Sequence, residues 1–384
     1  MTEKTLTRRN ALKAMAATGV ALTASCRLTE SEPPRTQQQE TTMKSNPVVA
    51  EVPLPDGVTP MPTRDPFLFC VHHNDDYPKG NAQFGPNQTL AGRNLGNDFV
   101  AKDGFRMYHG EVVPGFPRHP HRGFETVTIV RRGLLDHSDS MGAAARYGKG
   151  DVQWLTAGGG IQHAEMFPLL SADERNPVEL FQIWLNLPAS RKMVTPYFSM
   201  LWADQIPKLE LKDANGRRLR LSIFAGHYQE HKPPPPPPDS WAADQHAEVA
   251  IWTLRMEPHA QFVMPKTSPL VDRSLYVLDG HGLELDGHPQ SPRLRLDLER
   301  GREVVLKNGD RETELLLLQG CPINEPVAHY GPFVMNTEAE LRKAIYDYRA
   351  TQFGGWPWPQ NDPVHGGESQ RFARHLDGRV ERPG

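Results

Sequence analysis

The sequence has few cysteines, almost no net charge and no long apolar run, and each absence excludes a class of protein. Cys26, Cys70 and Cys321 are too widely spaced for a metal knuckle or a disulfide framework. The formal net charge is −3 over 384 residues, which gives no electrostatic reason to expect binding to nucleic acid or to an anionic membrane. The Ala-rich apolar stretch near the N-terminus has about a dozen residues, fewer than the roughly 20 that span a bilayer.

Proline and glycine, by contrast, are abundant, with 36 and 32 residues. Proline lies well above its usual share of about 5%, so we expect many turns and few long helices. The chain is also long enough for two domains, each with its own core.

Four side chains between residues 115 and 167 have the spacing of a metal site. Successive side chains of a strand point to opposite faces, so His119 and His121 share one face, and His163 and Glu165 share another. A single His-x-His pair on a strand is more often a surface feature or a pair of hydrogen-bonded residues than a metal site. Two such pairs on separate strands, however, offer three imidazoles and a carboxylate, which suit a divalent first-row transition metal.

The sequence between the two pairs predicts that they meet. A β-branched run at residues 126–130 is followed by a turn at Arg132-Gly133, and a further strand begins after Gly150-Asp151. Pro120 lacks a backbone donor, so its strand cannot be regular and central at that point. We therefore expect a strand start or a bulge at the mouth of the site, where ligands belong.

These residues carry a resemblance to a known family. GFPRHPHRGFETVT and GDVQWLTAGGGIQHAEM closely resemble the two signature stretches of the pirins, a branch of the cupin superfamily, and EPVAHYGPFVMNTEAELRKAIYDYR resembles the pirin C-terminal signature. The resemblance implies an all-β bicupin, with two double-stranded β-helix (jelly-roll) barrels and a short C-terminal helix. Thr337 and Glu340 have the spacing of a capping box at the start of that helix.

The second half of the chain repeats the β character without the metal ligands. Asn215-Gly216 and Asn308-Gly309 are hairpin signals between apolar runs. Residues 257–265 contain a single histidine, and no later HxE pair matches it. The predicted organisation is a signal peptide (1–26), a disordered linker (27–64), a metal-binding N-terminal cupin domain (65–189), a metal-free C-terminal cupin domain (190–350) and a Pro-rich, poorly ordered tail (351–384).

The pirin resemblance also implies a function. It implies one iron(II) ion, held by His119, His121, His163 and Glu165, although manganese, nickel, copper and zinc suit the same donors. It further implies a quercetin 2,3-dioxygenase-like enzyme whose partners are a flavonol-like aromatic substrate and dioxygen, in a monomer. Glu165 would then be both a ligand and the catalytic acceptor of the substrate hydroxyl proton.

Two other functions are compatible with these residues. One is a non-catalytic iron-binding protein with a redox-sensing or regulatory role, and the other is a metal-dependent oxygenase or isomerase with a different small substrate. The ligand set also has an alternative, because Glu125 continues the parity of residues 119, 121 and 123. Residue spacing does not decide whether Glu125 or Glu165 is the carboxylate ligand. The resemblance implies Glu165, and Glu125 would then either support the ligands from outside the coordination shell or have a structural role.

Two further polar groups are interpreted as structural. Two histidines and two aspartates lie close together in residues 72–76, and could form another metal site, but a strand end that runs into a polar turn is the simpler interpretation. Residues 137–142 are likewise expected to form a polar turn.

The N-terminus resembles a twin-arginine export signal. Arg8 and Arg9 precede the apolar stretch, which predicts a periplasmic protein, with a cytoplasmic location as the alternative. Cys26 follows Thr-Ala-Ser, an imperfect lipoprotein box. It is therefore either a lipid-anchored residue or a bystander of ordinary signal cleavage.

Overall fold

The computed structural model describes residues 44–384. The predicted signal peptide, Cys26 and residues 27–43 of the predicted linker lie outside this range. Among residues 44–384, no helix is both long and apolar enough to cross a membrane.

Strands account for nearly all of the regular structure. Up to residue 201 they are β1 (Val48–Pro53), β2 (Phe67–Tyr77), β3 (Gly115–His121), β4 (Phe124–Arg132), β5 (Leu134–Asp139), β6 (Ala144–Gly148), β7 (Val152–Thr156), β8 (Ile161–Met166), β9 (Asn176–Asn186) and β10 (Tyr197–Leu201). The next ten are β11 (Lys208–Lys212), β12 (Arg218–Ala225), β13 (Ala250–Met256), β14 (Gln261–Met264), β15 (Asp272–Asp279), β16 (Glu284–Leu285), β17 (His288–Pro289), β18 (Leu294–Leu298), β19 (Val304–Lys307) and β20 (Thr313–Gly320). The last elements are β21 (Ala328–Tyr330), β22 (Phe333–Met335), the helix α1 (Glu338–Thr351), β23 (Phe372–Arg374) and β24 (Val380–Glu381).

Four larger sheets pair off into two barrels. The first barrel combines the order β10-β7-β4-β9-β2 with the order β24-β23-β6-β5-β8-β3. The second combines β1-β18-β15-β20-β13-β12-β11 with β14-β19-β16-β17. This arrangement, followed by one short helix, confirms the predicted fold class.

Three of the apolar clusters stabilise the two barrels. One lies in the first barrel around Phe105, Tyr147 and Phe167, and another fills the second barrel with mainly leucine side chains. The third lies between the barrels and draws on both of them, with Trp154 and Phe181 from the first and Ile251 and Leu318 from the second. The sheet β10-β7-β4-β9-β2 is thus buried on both faces, which positions β4 and β9 firmly beside the interior of the first barrel.

The predicted limits of order were wrong at both ends of the described chain. Residues 48–53, expected in a disordered linker, form β1 and pair with β18. In the predicted tail, β23 pairs with β6, so the C-terminal segment is an edge of the first barrel. Both additions are made through backbone hydrogen bonds, which need little apolar content in the added strand.

The local turn signals were partly correct. The turn at Asn215-Gly216 joins the antiparallel pair β11 and β12, as expected. Asn308-Gly309 does not close a hairpin, because β19 and β20 lie in different sheets. The capping box of Thr337 and Glu340 is present at the start of α1.

Candidate metal centre

The predicted ligands lie on two neighbouring antiparallel strands, β3 and β8. His119 is paired with His163 across the ladder, and Phe116 is paired with Glu165. The register shifts between Phe116 and His119, so the strand has a bulge there. β3 is the edge strand of its sheet, which is where the proline between the two histidines can be accommodated.

The three histidines converge on one point inside the first barrel. One ring nitrogen from each of His119, His121 and His163 can be chosen so that all three atoms lie within 4.8 Å of one another. The ring centroids are 4.4 Å apart for His119 and His163, and 4.8 Å apart for the other two pairs. No other group of three or more His, Cys, Asp or Glu side chains within residues 44–384 meets this criterion.

The imidazoles are in the state that a metal requires. Burial lowers the pKa of His119 to about 4 and lowers those of His121 and His163 well below the usual value, so the rings are neutral. Nδ1 of His119 lies 2.9 Å from the carbonyl oxygen of Pro117, to which it donates, leaving Nε2 as an acceptor. Nδ1 of His121 and both nitrogens of His163 are buried and have no partner among the described residues. Buried nitrogens without partners are costly unless a ligand satisfies them, so this donor set fits a divalent metal ion.

Glu165 lies beside the three imidazoles but is not within the tightest cluster. Its Oε2 is 3.9 Å from Nε2 of His163. The hydroxyl of Thr128 is 3.1 Å from Oε1, and the amide of Gln182 is 3.4 Å from Oε2. Burial raises the pKa of this carboxyl, while His137 and Thr128 oppose the shift. A nearby cation would therefore be needed to keep Glu165 charged without cost.

Glu125, the alternative carboxylate, points away from the three histidines. Gly123 has a φ of +86°, in the left-handed region, so the chain turns between β3 and β4 and the expected parity is broken. The Glu125 carboxylate accepts hydrogen bonds from Thr156 at 2.6 Å and from Ser240 at 2.7 Å. Its position is therefore structural, at the junction between the barrels.

Sequence reasoning missed a fourth buried imidazole. Residues 137–139 belong to β5 and are fully buried, so the expected polar turn begins only after them. His137 is paired with Glu165 across the ladder, and its ring centroid is 5.6 Å from that of His163. Its Nε2 lies 3.2 Å from a carboxylate oxygen of Asp139. The alternation of residues 135, 137 and 139 was the available signal, but the polar composition concealed it.

The site opens into a cavity of about 640 Å³. The residues that line it are mostly apolar or aromatic and include Phe69, Phe99, Phe116, Phe167, Trp184, Leu135 and Leu180. Its polar lining includes Thr128, Gln182, His73, His119, His121 and Glu165. This is the size and composition of a pocket for a mostly apolar organic molecule.

The corresponding interior of the second barrel is filled by apolar side chains such as Leu254, Leu275 and Leu296. His259, the single histidine of residues 257–265, is exposed in a turn. The pocket chemistry of the first barrel is therefore not repeated there among the described residues.

Comparison with known proteins agrees with this architecture. The model of the Pirin family matches residues 59–185, and that of the Pirin C-terminal cupin domain matches residues 251–354. A Pseudomonas aeruginosa protein, named provisionally as a quercetin 2,3-dioxygenase, is 36% identical over 241 residues, which cover 62% of this chain and 79% of that protein. Human Pirin is 31% identical over 255 residues, which cover 65% of this chain and 81% of that protein. The crystal structure of a quercetin 2,3-dioxygenase from Acinetobacter baumannii has a TM-score of 0.62 and 26% identity, covering 80% of this chain and 98% of the other.

Proposed function

The chain belongs to the pirin family of cupin proteins, and from this premise we propose that it is a metal-dependent dioxygenase that opens the ring of flavonols such as quercetin with molecular oxygen. The observation that carries the proposal is the convergence of three neutral imidazoles at the end of an aromatic-lined cavity. The names of the Pseudomonas and Acinetobacter relatives support the choice of substrate.

The proposed ion is iron(II), with His119, His121 and His163 as nitrogen ligands and Glu165 as the oxygen ligand. When bound, it would polarise a hydroxyl of the substrate and supply the redox chemistry of the reaction with dioxygen. Four protein ligands on an ion that prefers six leave room for substrate.

In the proposed mechanism, the protein contributes a proton acceptor, Glu165, and a cavity lining that positions the substrate. An oxygen of the Glu165 carboxylate accepts the proton of the substrate hydroxyl, since this group is next to the site and ordinarily ionised when paired with a cation. The amide of Gln182 orients the carboxylate through its contact of 3.4 Å, and the hydroxyl of Thr128 donates to Oε1 of Gln182 at 2.6 Å, which holds that amide in place. Phe116 and Trp184 pack against the rings of the substrate and exclude water from the reacting atoms.

The test is oxygen consumption by the metal-loaded protein. Protein purified without oxygen and loaded with iron(II) should consume oxygen and bleach quercetin absorbance, and the His163→Ala variant should do neither. A fully metallated protein that neither consumes oxygen nor alters quercetin would overturn the proposal. That result, with metal bound at full occupancy, would favour the non-catalytic redox-sensing role.

We also propose export to the periplasm by the twin-arginine route, based on Arg8 and Arg9 of the sequence. Fractionation of cells that express the full chain tests this. A processed periplasmic protein is expected, with a shift to the cytoplasm when both arginines are changed to lysine. An unprocessed cytoplasmic protein would contradict it.

A further inference from the structure

Residues 72–76 are not a polar turn but part of β2, and one of them, His73, lines the cavity. His73 and Asp75 are separated by two positions in the strand, so both point into the first barrel, where they are 4% and 1% exposed. His73 lines the same cavity as His119, His121 and Glu165. The expectation of a turn at residues 72–76 was wrong, and the proposed mechanism gives these buried groups no role.

A chain of hydrogen bonds fixes the orientation of His73. Its Nδ1 lies 2.8 Å from the hydroxyl oxygen of Tyr108, and that hydroxyl donates to Oδ2 of Asp75 at 2.5 Å. Arg106 donates to the other carboxylate oxygen of Asp75 at 2.9 Å. Because the hydroxyl has one proton and gives it to the carboxylate, its oxygen accepts from Nδ1–H of His73. The remaining nitrogen, Nε2, is therefore the one with a free lone pair.

This lone pair is available in the cavity. Within residues 44–384, Nε2 of His73 makes no hydrogen bond, and the only hydrogen-bond partner of the ring is the hydroxyl of Tyr108. Burial, with smaller effects of His72 and Arg106, lowers the pKa of His73 to about 3. The ring is accordingly neutral at physiological pH and acts as a hydrogen-bond acceptor.

His73 is separated from the candidate metal centre by one aromatic ring. Its centroid lies 5.8 Å from that of Phe116, which in turn lies 6.4 Å from that of His119. A planar substrate that reaches the metal at one end can therefore extend along Phe116 towards His73. Tyr108 has a φ of +57°, a conformation that an aromatic residue rarely adopts, which indicates that the fold constrains this chain of hydrogen bonds.

We propose that Nε2 of His73 accepts a hydrogen bond from a hydroxyl group at the end of the aromatic substrate that lies away from the metal. This inference rests on the proposed function and adds to it a preference for substrates that are hydroxylated on the distal ring. A hydroxyl is the matching group because the site offers a neutral acceptor within mainly apolar walls, and a carbonyl or carboxylate would place lone pair against lone pair.

The experiment compares two flavonols that differ only in the hydroxyls of the phenyl ring, which is the ring that the proposal places away from the metal. Quercetin has two hydroxyls on this ring and galangin has none. Their dissociation constants are measured by titration calorimetry on the full protein in oxygen-free buffer, so that turnover does not contribute. The wild-type protein should bind quercetin about fivefold to tenfold more tightly than galangin, the range expected for one hydrogen bond.

The variants separate hydrogen bonding from structure. In His73→Phe the ratio should fall to about one because the acceptor is removed, with galangin affinity maintained. In Tyr108→Phe the ring of His73 is retained but its tautomer is no longer fixed, so the ratio should fall partway. His72→Phe is the matched control, since His72 contacts Glu179 and Phe181 and does not line the cavity, and it should keep the wild-type ratio.

An unchanged ratio in both His73→Phe and Tyr108→Phe would overturn the proposal, as would equal affinities in the wild-type protein. A protein that shows the predicted ratio but consumes no oxygen would support the role of His73 while contradicting the proposed catalysis. A metal-loaded protein that binds neither flavonol would contradict both.

Discussion

Oε2 of Glu165 lies 3.9 Å from Nε2 of His163, although both side chains leave the same strand. This distance is too long for a hydrogen bond. Atoms that each lie about 2.1 Å from one metal ion are about 3.0 Å apart when adjacent and about 4.2 Å apart when opposite, so 3.9 Å falls within the range that two ligands of one ion can span. Glu165 is accordingly our proposed fourth ligand, and the prediction for Glu165→Gln depends on it.

His163→Ala should lower metal affinity by more than about 100-fold, because the loss of a direct ligand costs more than the loss of an outer partner, for which 10–100-fold is typical. Equilibrium dialysis followed by elemental analysis measures this. His259→Ala is the control, since that residue is exposed in the second barrel. Equal metal content in wild type and His163→Ala would contradict the site.

Glu165→Gln should have opposite effects on metal binding and on the stability of the metal-free protein. Metal affinity should fall, since the amide oxygen is a weaker ligand than a carboxylate. The free energy of unfolding without metal should rise, because burial raises the pKa of Glu165 and ionising it in the folded state is costly. The gain should be larger at pH 8 than at pH 5, where the carboxyl of the folded wild-type protein is closer to its protonated state. Denaturant titrations with a chelator present test this, and a variant that is less stable than wild type at pH 8 would contradict it.

The convergence of the three histidines could be predicted because their geometry is local. A spacing of two in a strand determines which side chains share a face, so His119 with His121 and His163 with Glu165 could be paired before any tertiary structure was known. The position of Glu125 was ambiguous because Gly123 adopts a left-handed conformation, which changes the face to which the following side chains point. The φ of an isolated glycine cannot be inferred from the sequence.

The parts that could not be predicted depend on distant contacts. His73 and Asp75 seemed to belong to a turn because they are polar, but a strand that faces a cavity can bury polar groups when a distant residue such as Tyr108 satisfies them. The pairing of β1 with β18 likewise depends on which edge of the sheet is free. The sequence of residues 48–53 contains no information about that edge.

Glu125 should make stability depend on pH. Burial raises its pKa from 4.5 to about 7, against the opposing hydrogen bonds from Thr156 and Ser240. Below about pH 4.5 the carboxyl is protonated in both folded and unfolded chains. Between about pH 4.5 and 7 the unfolded chain ionises while the folded one keeps its proton, so about 3 kcal/mol of stability is lost as pH rises, and the loss is constant above that range.

Glu125→Gln should remove this component, with a pH-independent offset from the altered hydrogen bonds. Free energies of unfolding from denaturant titrations at several pH values between 4 and 8.5 measure it. Glu303→Gln, at an exposed carboxyl, should follow the wild-type profile. Parallel profiles for wild type and Glu125→Gln would contradict the prediction.

Arg146→Met should be the most damaging change at the junction with the C-terminal segment. Nε and Nη2 of Arg146 donate to the two carboxylate oxygens of Asp136 at 2.6 Å each, and both side chains are fully buried. The guanidinium also donates to the carbonyl oxygens of Gly366 and Glu368. Methionine fills much of the volume but leaves a buried carboxylate without its partner, which typically costs about 3–5 kcal/mol.

The loss should appear in the free energy of unfolding and as faster proteolysis within residues 355–384, since the segment loses two backbone anchors. Arg220→Met removes an ion pair with Glu210 in which both side chains are 59% exposed, and it should change stability little because solvent screens such pairs. Adding Asp136→Asn to Arg146→Met should recover part of the stability, because the orphaned charge is then removed. If Arg146→Met lowered the free energy of unfolding no more than Arg220→Met does, the buried pair would not be what holds the C-terminal segment on the barrel.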